Sequence, residues 1–384
     1  MERTLSVLFL SLLFVCAHSQ SLTDILHTIE ENNAQLKALR ESNAAIMAET
    51  RSENALGATS VEYSPFYQSG VAGTSSSELI VSQEFDFPTL YAARRKSASL
   101  QQQVLDLEYA TRRRDILLEA EKLCYDLSTA QQNATLLSQR MADSDSLLAI
   151  SDKRLRHGDA TAIEHNRVRL DRMTLQRETA QNEATIDAIR LKLQQLNGGQ
   201  PLFTNPSLLT LPSEENAMAD GQSLETSVAQ ASVAQADQQV KVSQQEWLPK
   251  LSVGYRRNTE LREASNGFLI GVSMPLFSNS SKVKAARRRQ SAAEQQLASV
   301  RVEEESRILS LRNEATALRQ QLSTYDVPLM QQTLSLLMRG VKGGAVSIAD
   351  YYLEADRIHS LLQQRLETEN RYSKVMCDLL RNTL

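Results

Sequence analysis

The chain has only three cysteines in 384 residues, too few for a disulfide framework. Cys124 and Cys377 each fall inside a helical pattern, so buried or free thiols are expected there. Glycine and proline are scarce, at 13 and 8 residues, while Gln, Ala, Ser, Leu, Arg and Glu abound, which favours long helices over compact α/β packing. A basic excess is also missing: 42 Lys and Arg face 46 Asp and Glu, and a net charge of −4 leaves no basic stripe for a nucleic acid. Beyond residue 20 no run reaches the roughly 18 apolar residues of a membrane helix. Such a chain is either soluble or crosses a membrane as part of a closed barrel, because lipid tolerates no unpaired strand edge.

What the chain does have begins at its first residues. Arg3, the apolar run Leu5 to Val15 and the small-residue site Ala17-His18-Ser19 read as a secretory signal peptide over residues 1–19. Cys16 offers the rival reading of lipoprotein processing, although Val15 stands where a small residue would be expected. From Ser21 to about Leu56, apolar residues recur at three- and four-residue steps, as in a helix. The period then drops to two. Val61 and Tyr63 alternate with Glu62 and Ser64, and after a Gly/Ser/Thr-rich loop Leu79, Val81 and Phe85 alternate with Ser82, Glu84 and Asp86. A very long helix follows, with Ala120, Cys124, Leu127, Ala134 and Met141 on its apolar seam, and Gly158 marks its end. The return helix carries Val168, Leu175, Ile186, Ile189, Leu193 and Leu196. These seams are heptad-like but leaky, with Gln, Ser, Thr and Arg at many positions, which suits helices packed around a wet interior.

After a linker at 201–213 the programme repeats. A helix near Leu224 to Glu246 leads to Leu251, Val253 and Tyr255, then to Phe268, Ile270 and Val272, with Pro275 at the strand end, where it costs least. A second long helix carries Leu297, Ile308, Leu311, Ala315, Leu318 and Leu322, a break falls at Gly340 to Gly344, and a last helix runs on to Leu380. Val81-Ser82 overlies Val272-Ser273, Ala93-Arg94-Arg95 overlies Ala286-Arg287-Arg288, and Gly158 overlies Gly344, all offset by about 190 residues. The chain therefore divides into residues 20–200 and 214–384, each a helix, a strand pair and a long helical hairpin. The fold class expected is mainly α with a small β part. By alternation alone, Val81, Phe85, Val253, Phe268, Ile270 and Val272 face either lipid or the helices of a soluble sheet.

The order of elements, together with Val81-Ser82-Gln83-Glu84-Phe85-Asp86-Phe87, Ala92-Ala93-Arg94-Arg95, Trp247-Leu248-Pro249-Lys250-Leu251-Ser252 and Gly271-Val272-Ser273-Met274-Pro275-Leu276-Phe277, resembles the TolC family of outer-membrane efflux proteins. So does a tip motif that occurs twice, as Gly158, Thr161, Glu164 and as Gly344, Ser347, Asp350. The resemblance implies a homotrimer in which each subunit gives four membrane β-strands to one shared barrel, and its helices to a tunnel across the periplasm. It implies docking of a periplasmic adaptor, and through it an inner-membrane pump, at the tip turns Gly158, Thr161, Gly344 and Ser347. It resolves the strand alternation towards outer-membrane lipid. An inward acid becomes a ring of three in such an assembly, which makes Asp350 and then Glu164 the candidates for an anionic constriction; each also suits a helix start, where acids are stabilised anyway. Some relatives carry an aromatic three residues before the second tip glycine and a further acid nine after it, where this chain has Val341 and Leu353.

His157 and His165, eight apart, lack a third ligand and read as surface residues, so no metal and no cofactor is expected. Arg112-Arg113-Arg114 and Arg287-Arg288-Arg289 read as solvated helix faces or ion pairs between subunits. There is no Gly-rich phosphate loop and no nucleophile elbow, hence no encouragement for an enzyme. The competing readings are a periplasmic coiled-coil adaptor, which should have one hairpin rather than two in tandem, and a type I protein-secretion channel of the same fold.

Overall fold

A computed structural model describes residues 21–70, 72–202, 223–260, 263–274 and 279–384. The signal and Cys16 expectations, most of the linker with Pro206 and Pro212, and Pro275-Leu276-Phe277 lie outside the described residues. The elements are α1 (Leu22–Asn32), α2 (Ala34–Ser52), β1 (Ser60–Phe66), β2 (Ser76–Phe85), α3 (Pro88–His157), α4 (Ala162–Leu196), α5 (Leu224–Gln245), β3 (Lys250–Glu260), β4 (Glu263–Ser273), α6 (Asn279–Leu322), α7 (Val327–Gly343) and α8 (Ile348–Leu380), with a short 3-10 turn at Arg381–Thr383. Two compact units cut across the sequence repeats. One takes Met1–Asn33, Glu119–Pro212 and Ala317–Cys377; the other takes Ala34–Leu118, Ser213–Thr316 and Asp378–Leu384.

The first unit is helical, and its core follows heptad spacing. On α4, Val168, Leu175, Asn182 and Ile189 are all buried at seven-residue steps. Asn182 is the polar member, and its side chain donates to the Ala130 carbonyl at 2.9 Å and accepts from Asn133 at 3.0 Å. A buried amide satisfied in this way fixes register without leaving an unpaired polar group. On α3 the buried seam runs through Ala120, Cys124 and Leu127, then moves to Leu137, Ser144, Leu147 and Ser151, so Ala134 and Met141 are only half-buried. That shift is the drift expected when a 3.6-residue turn meets a seven-residue repeat over many turns. Cys124 and Cys377 are both buried as thiols, and burial pushes the Cys124 thiol up to about 12.

Two helix interruptions differ from the sequence expectation. Asn33 separates α1 from α2; its amide donates to the Leu196 carbonyl at 2.8 Å and so caps the end of α4. In the second repeat the long helix ends at Leu322 and restarts at α7, where Asp326 accepts from the Leu329 N–H at 3.0 Å and Pro328 sits in the first turn. Gly340 lies within α7, and the break itself falls at Gly344.

The second unit holds the sheet, antiparallel throughout and ordered β1-β2-β3-β4. Val61 opposes Val81, Val81 opposes Tyr255, and Tyr255 opposes Phe268; Val253 opposes Ile270, and Leu251 opposes Val272. Opposed residues share a face. One face therefore carries Val61, Tyr63, Leu79, Val81, Phe85, Leu251, Val253, Tyr255, Phe268, Ile270 and Val272, with Ser77, Gln83, Arg257, Thr259 and Asn266 as its polar members. The other carries Glu62, Ser64, Glu78, Ser82, Glu84, Ser252 and Arg256, with Phe66, Ile80 and Leu269 as apolar exceptions and an Arg256–Glu78 ion pair. The apolar face is bare: Phe268 is 90% and Ile270 81% exposed.

The same unit contains a buried charge network that corrects one expectation. Arg112 donates to Gln35 at 2.7 Å, but Arg114 is only 1% exposed rather than solvated. Its guanidinium donates to both Glu225 oxygens, at 2.7 and 3.0 Å, and to Asp115 at 2.6 Å. Glu225 also pairs with Arg381 at 2.7 Å, and Arg381 with Glu304 at 2.9 Å.

Candidate functional site

The two hairpin tips belong to the first unit and are built alike. In each, a helix closes on a glycine in the left-handed region, Gly158 at φ 79° and Gly344 at φ 77°. The following N–H bonds back five residues, Asp159 to the Arg154 carbonyl at 2.8 Å and Ala345 to the Gly340 carbonyl at 2.9 Å. This Schellman closure needs a left-handed residue after the last helical turn, and glycine adopts it without the Cβ clash. Gly158→Ala and Gly344→Ala should each cost about 1 kcal/mol or somewhat more locally. The expected outcome is faster amide exchange confined to the affected turn, with the global unfolding transition unmoved.

The return helices start on hydroxyl caps. Thr161 Oγ1 accepts from the Glu164 N–H at 3.2 Å, while the Glu164 carboxylate accepts from the Thr161 N–H at 3.0 Å. Glu164 is thus engaged in a reciprocal capping box, as its alternative reading held. At the second tip the geometry differs. Ser347 Oγ accepts from the Asp350 N–H at 3.0 Å and donates to the Asp350 carboxylate at 2.7 Å. Asp350 is exposed, and its carboxylate is held by a side-chain hydroxyl. Of the two acids it is the better placed to act on something outside its own turn.

A shared core ties the tips together. Leu147 and Val168 of the first hairpin pack with Met338, Val341, Ile348, Tyr351, Tyr352 and Ala355 of the second. Arg154 donates to the Val341 carbonyl at 2.9 Å, so the first hairpin caps the last turn of α7. Val341 is fully buried and Leu353 exposed, so an aromatic at position 341 would need space that this packing already fills. Tyr351 and Tyr352 meet edge-on with ring centres 5.7 Å apart, and the Arg167 guanidinium lies 5.4 Å from the Tyr352 ring centre. Above this core, burial raises the Asp143 and Asp171 carboxyls, against the pull of Lys342 and Arg140 respectively. Burial, aided by Arg140, lowers His359 to about 4, so it is neutral at pH 7.

His165 is held inside its own hairpin, 3.2 Å from Ser151 Oγ and 3.4 Å from Asp152, while His157 is exposed at the end of α3. Both expected turns are present, and each acid lies in the first turn of the helix that follows. Arg154 and Tyr351 were missed, and Tyr352 was legible only as a member of the apolar spacing it shares with Ile348 and Ala355.

Residues 218–374 match the family described as Outer membrane efflux protein. No curated protein matches. Among solved structures, the outer membrane protein VceC of Vibrio cholerae superposes with a TM-score of 0.74 at 16% identity, over 94% of this chain and 95% of that one. The CmeC outer membrane channel of Campylobacter jejuni gives 0.75 at 14% identity, over 94% and 84%. The MtrE outer membrane channel of Neisseria gonorrhoeae, in its open state, gives 0.65 at 14% identity, over 94% and 88%. The second repeat thus carries the signature of outer membrane efflux proteins over residues 218–374, and nearly the whole chain shares its fold with these solved outer-membrane proteins.

Proposed function

We propose that this chain is a passive exit duct of the outer membrane, built as a homotrimer and coupled at its hairpin tips to a periplasmic adaptor and an inner-membrane pump. One observation carries the reading. The sheet has one bare apolar face and one polar face, and its outer strands β1 and β4 end it on both sides. Four strands cannot close on themselves, and bacterial barrels begin at about eight. Three copies supply about twelve strands, so every edge finds a partner and no backbone group is left unpaired in lipid. The apolar face then meets the membrane through Val81, Phe85, Val253, Phe268, Ile270 and Val272, and the face of Glu62, Glu84 and Arg256 lines water.

Cargo passes without chemical change. Selectivity rests on the charge at the narrowest point, where three copies of Asp350 form an anionic ring that favours cations. The turns at Gly158, Thr161, Gly344 and Ser347 are the surface offered to the adaptor. Planar-bilayer recording on the purified full chain, with its mass in detergent measured alongside, tests this. We expect a trimer that conducts with cation preference, and Asp350→Asn to weaken that preference. Glu164→Gln should alter selectivity less, because that carboxylate is committed to the Thr161 N–H. A monomer that stays in the aqueous fraction would end the duct reading; a conducting trimer with unchanged selectivity in Asp350→Asn would remove only the ring.

A further inference from the structure

The repeated Ala-Arg-Arg at each strand-to-helix junction has its first arginine paired with a carboxylate in one repeat and, among the described residues, with none in the other. In the first repeat Arg94 donates to Asp86 at 2.6 Å, and Lys250 lies 3.7 Å from the same carboxylate. The corresponding stretch of the second repeat, Met274-Pro275-Leu276-Phe277-Ser278, contains no acid. There Ala286 is buried while Arg287 and Arg288 are exposed. They line a groove of about 710 Å³ together with Trp247, Lys284, Ser280 and Ser291, and no carboxylate is among its described lining residues. The nearby Lys282 is already paired with Glu246 at 2.9 Å. Trp247 is 55% exposed, three residues before β3.

We propose that this groove binds the phosphate headgroup of an anionic glycerophospholipid in the leaflet nearest the helices. The inference rests on the barrel reading, which puts the β3 start and the β4 end, where Lys250 pairs with Ser273, at one membrane surface. Trp at that level is stabilised with its ring at the headgroup boundary. Two guanidinium groups offer paired donors to phosphate oxygens, and the ammonium adds a third charge. Two serine hydroxyls complete a polar floor, while Val283 and the indole give the first methylenes of an acyl chain an apolar wall. Basic pockets of this kind select lipids with net negative headgroups.

Trp247 is the single tryptophan in the chain, so its fluorescence reports this groove alone. The full protein in phosphatidylcholine nanodiscs is titrated with phosphatidylglycerol carrying brominated acyl chains. Saturable quenching is expected, about tenfold tighter than with brominated phosphatidylcholine. It should weaken about tenfold in the Arg287→Gln, Arg288→Gln double variant and be unchanged in Arg95→Gln of the first repeat. Equal quenching by both lipids, or no effect of the double variant, overturns the site. So does protection by inorganic phosphate, which would reassign the groove to a free anion. An indole that no lipid quenches in an intact, conducting trimer means that a neighbouring copy covers it, which also overturns the proposal. Conductance of the same sample separates the two readings: a conducting protein without lipid preference sinks the headgroup site alone, whereas one that never inserts sinks both.

Discussion

Ile270→Arg is expected to remove the protein from the membrane. Ile270 is 81% exposed, lies three residues inside the end of β4 opposite Val253, and shares its face with Phe268 and Val272. An arginine on a barrel's lipid face costs about 2–4 kcal/mol at the midplane and about 0–1 at the interface, so about 1–2 kcal/mol is expected at the intermediate depth of Ile270, and a trimer carries the substitution three times. The combined penalty, roughly 3–6 kcal/mol, is a large share of the whole stability of an ordinary domain. The matched control is Ser64→Arg, on the opposite face and facing Glu78 across the strand pair. It adds the same charge and the same bulk to water. Flotation of total membranes should find the Ile270 variant in the aggregated or aqueous fraction and the Ser64 variant beside wild type. Equal partitioning of the two would mean that neither face meets lipid, and the sheet would have to be repacked as a soluble one.

That test was designable from sequence because a two-residue period is local. Once Val81 or Ile270 is placed, every second residue follows it to the same face, and the register across β2, β3 and β4 merely joins faces already sorted. The tips were legible for a similar reason: a left-handed glycine followed three residues later by Thr or Ser, and six later by an acid, is a stop signal joined to a start signal. What escaped were features set by long-range packing. The drift of the α3 seam from Leu127 to Leu137 depends on where its partner helices lie. Asn182 and Asn33 look like breaks in an apolar pattern until the carbonyls of Ala130 and Leu196 appear beside them. Pro328 lies in a stretch expected to continue the long helix, and the Asp326 cap starts a new one there.

Arg114 is the sharpest case, because its sequence neighbours are arginines and nothing local distinguishes the one that is buried. Arg114→Ala should destabilise the protein by about 3–5 kcal/mol, the usual result of removing one partner of a buried ion pair. Glu225 is the reason. Burial alone would raise its carboxyl, yet the hydrogen bonds from Arg114, with its own backbone bond and the charge of Arg381, bring it down to about 2. A carboxyl with a pKa near 2 in the folded chain and 4.5 in the unfolded one contributes on the order of 3 kcal/mol at neutral pH. Its folded pKa is depressed, so the contribution is fully present above about pH 4.5 and is lost as pH falls through 2. Thermal unfolding in detergent should therefore show a wild-type midpoint that this pair leaves flat between pH 7 and 5 and lowers below 4.5. The Glu225→Gln variant should start lower and lose that part of the acid dependence. Replacing both partners, as Arg114→Met with Glu225→Met, should cost less than Arg114→Ala alone, because Arg381 keeps Glu304 at 2.9 Å and Asp115 is 44% exposed to water. A double variant as unstable as the single one would show that the guanidinium is held for its shape against α5, and that its charge contributes little.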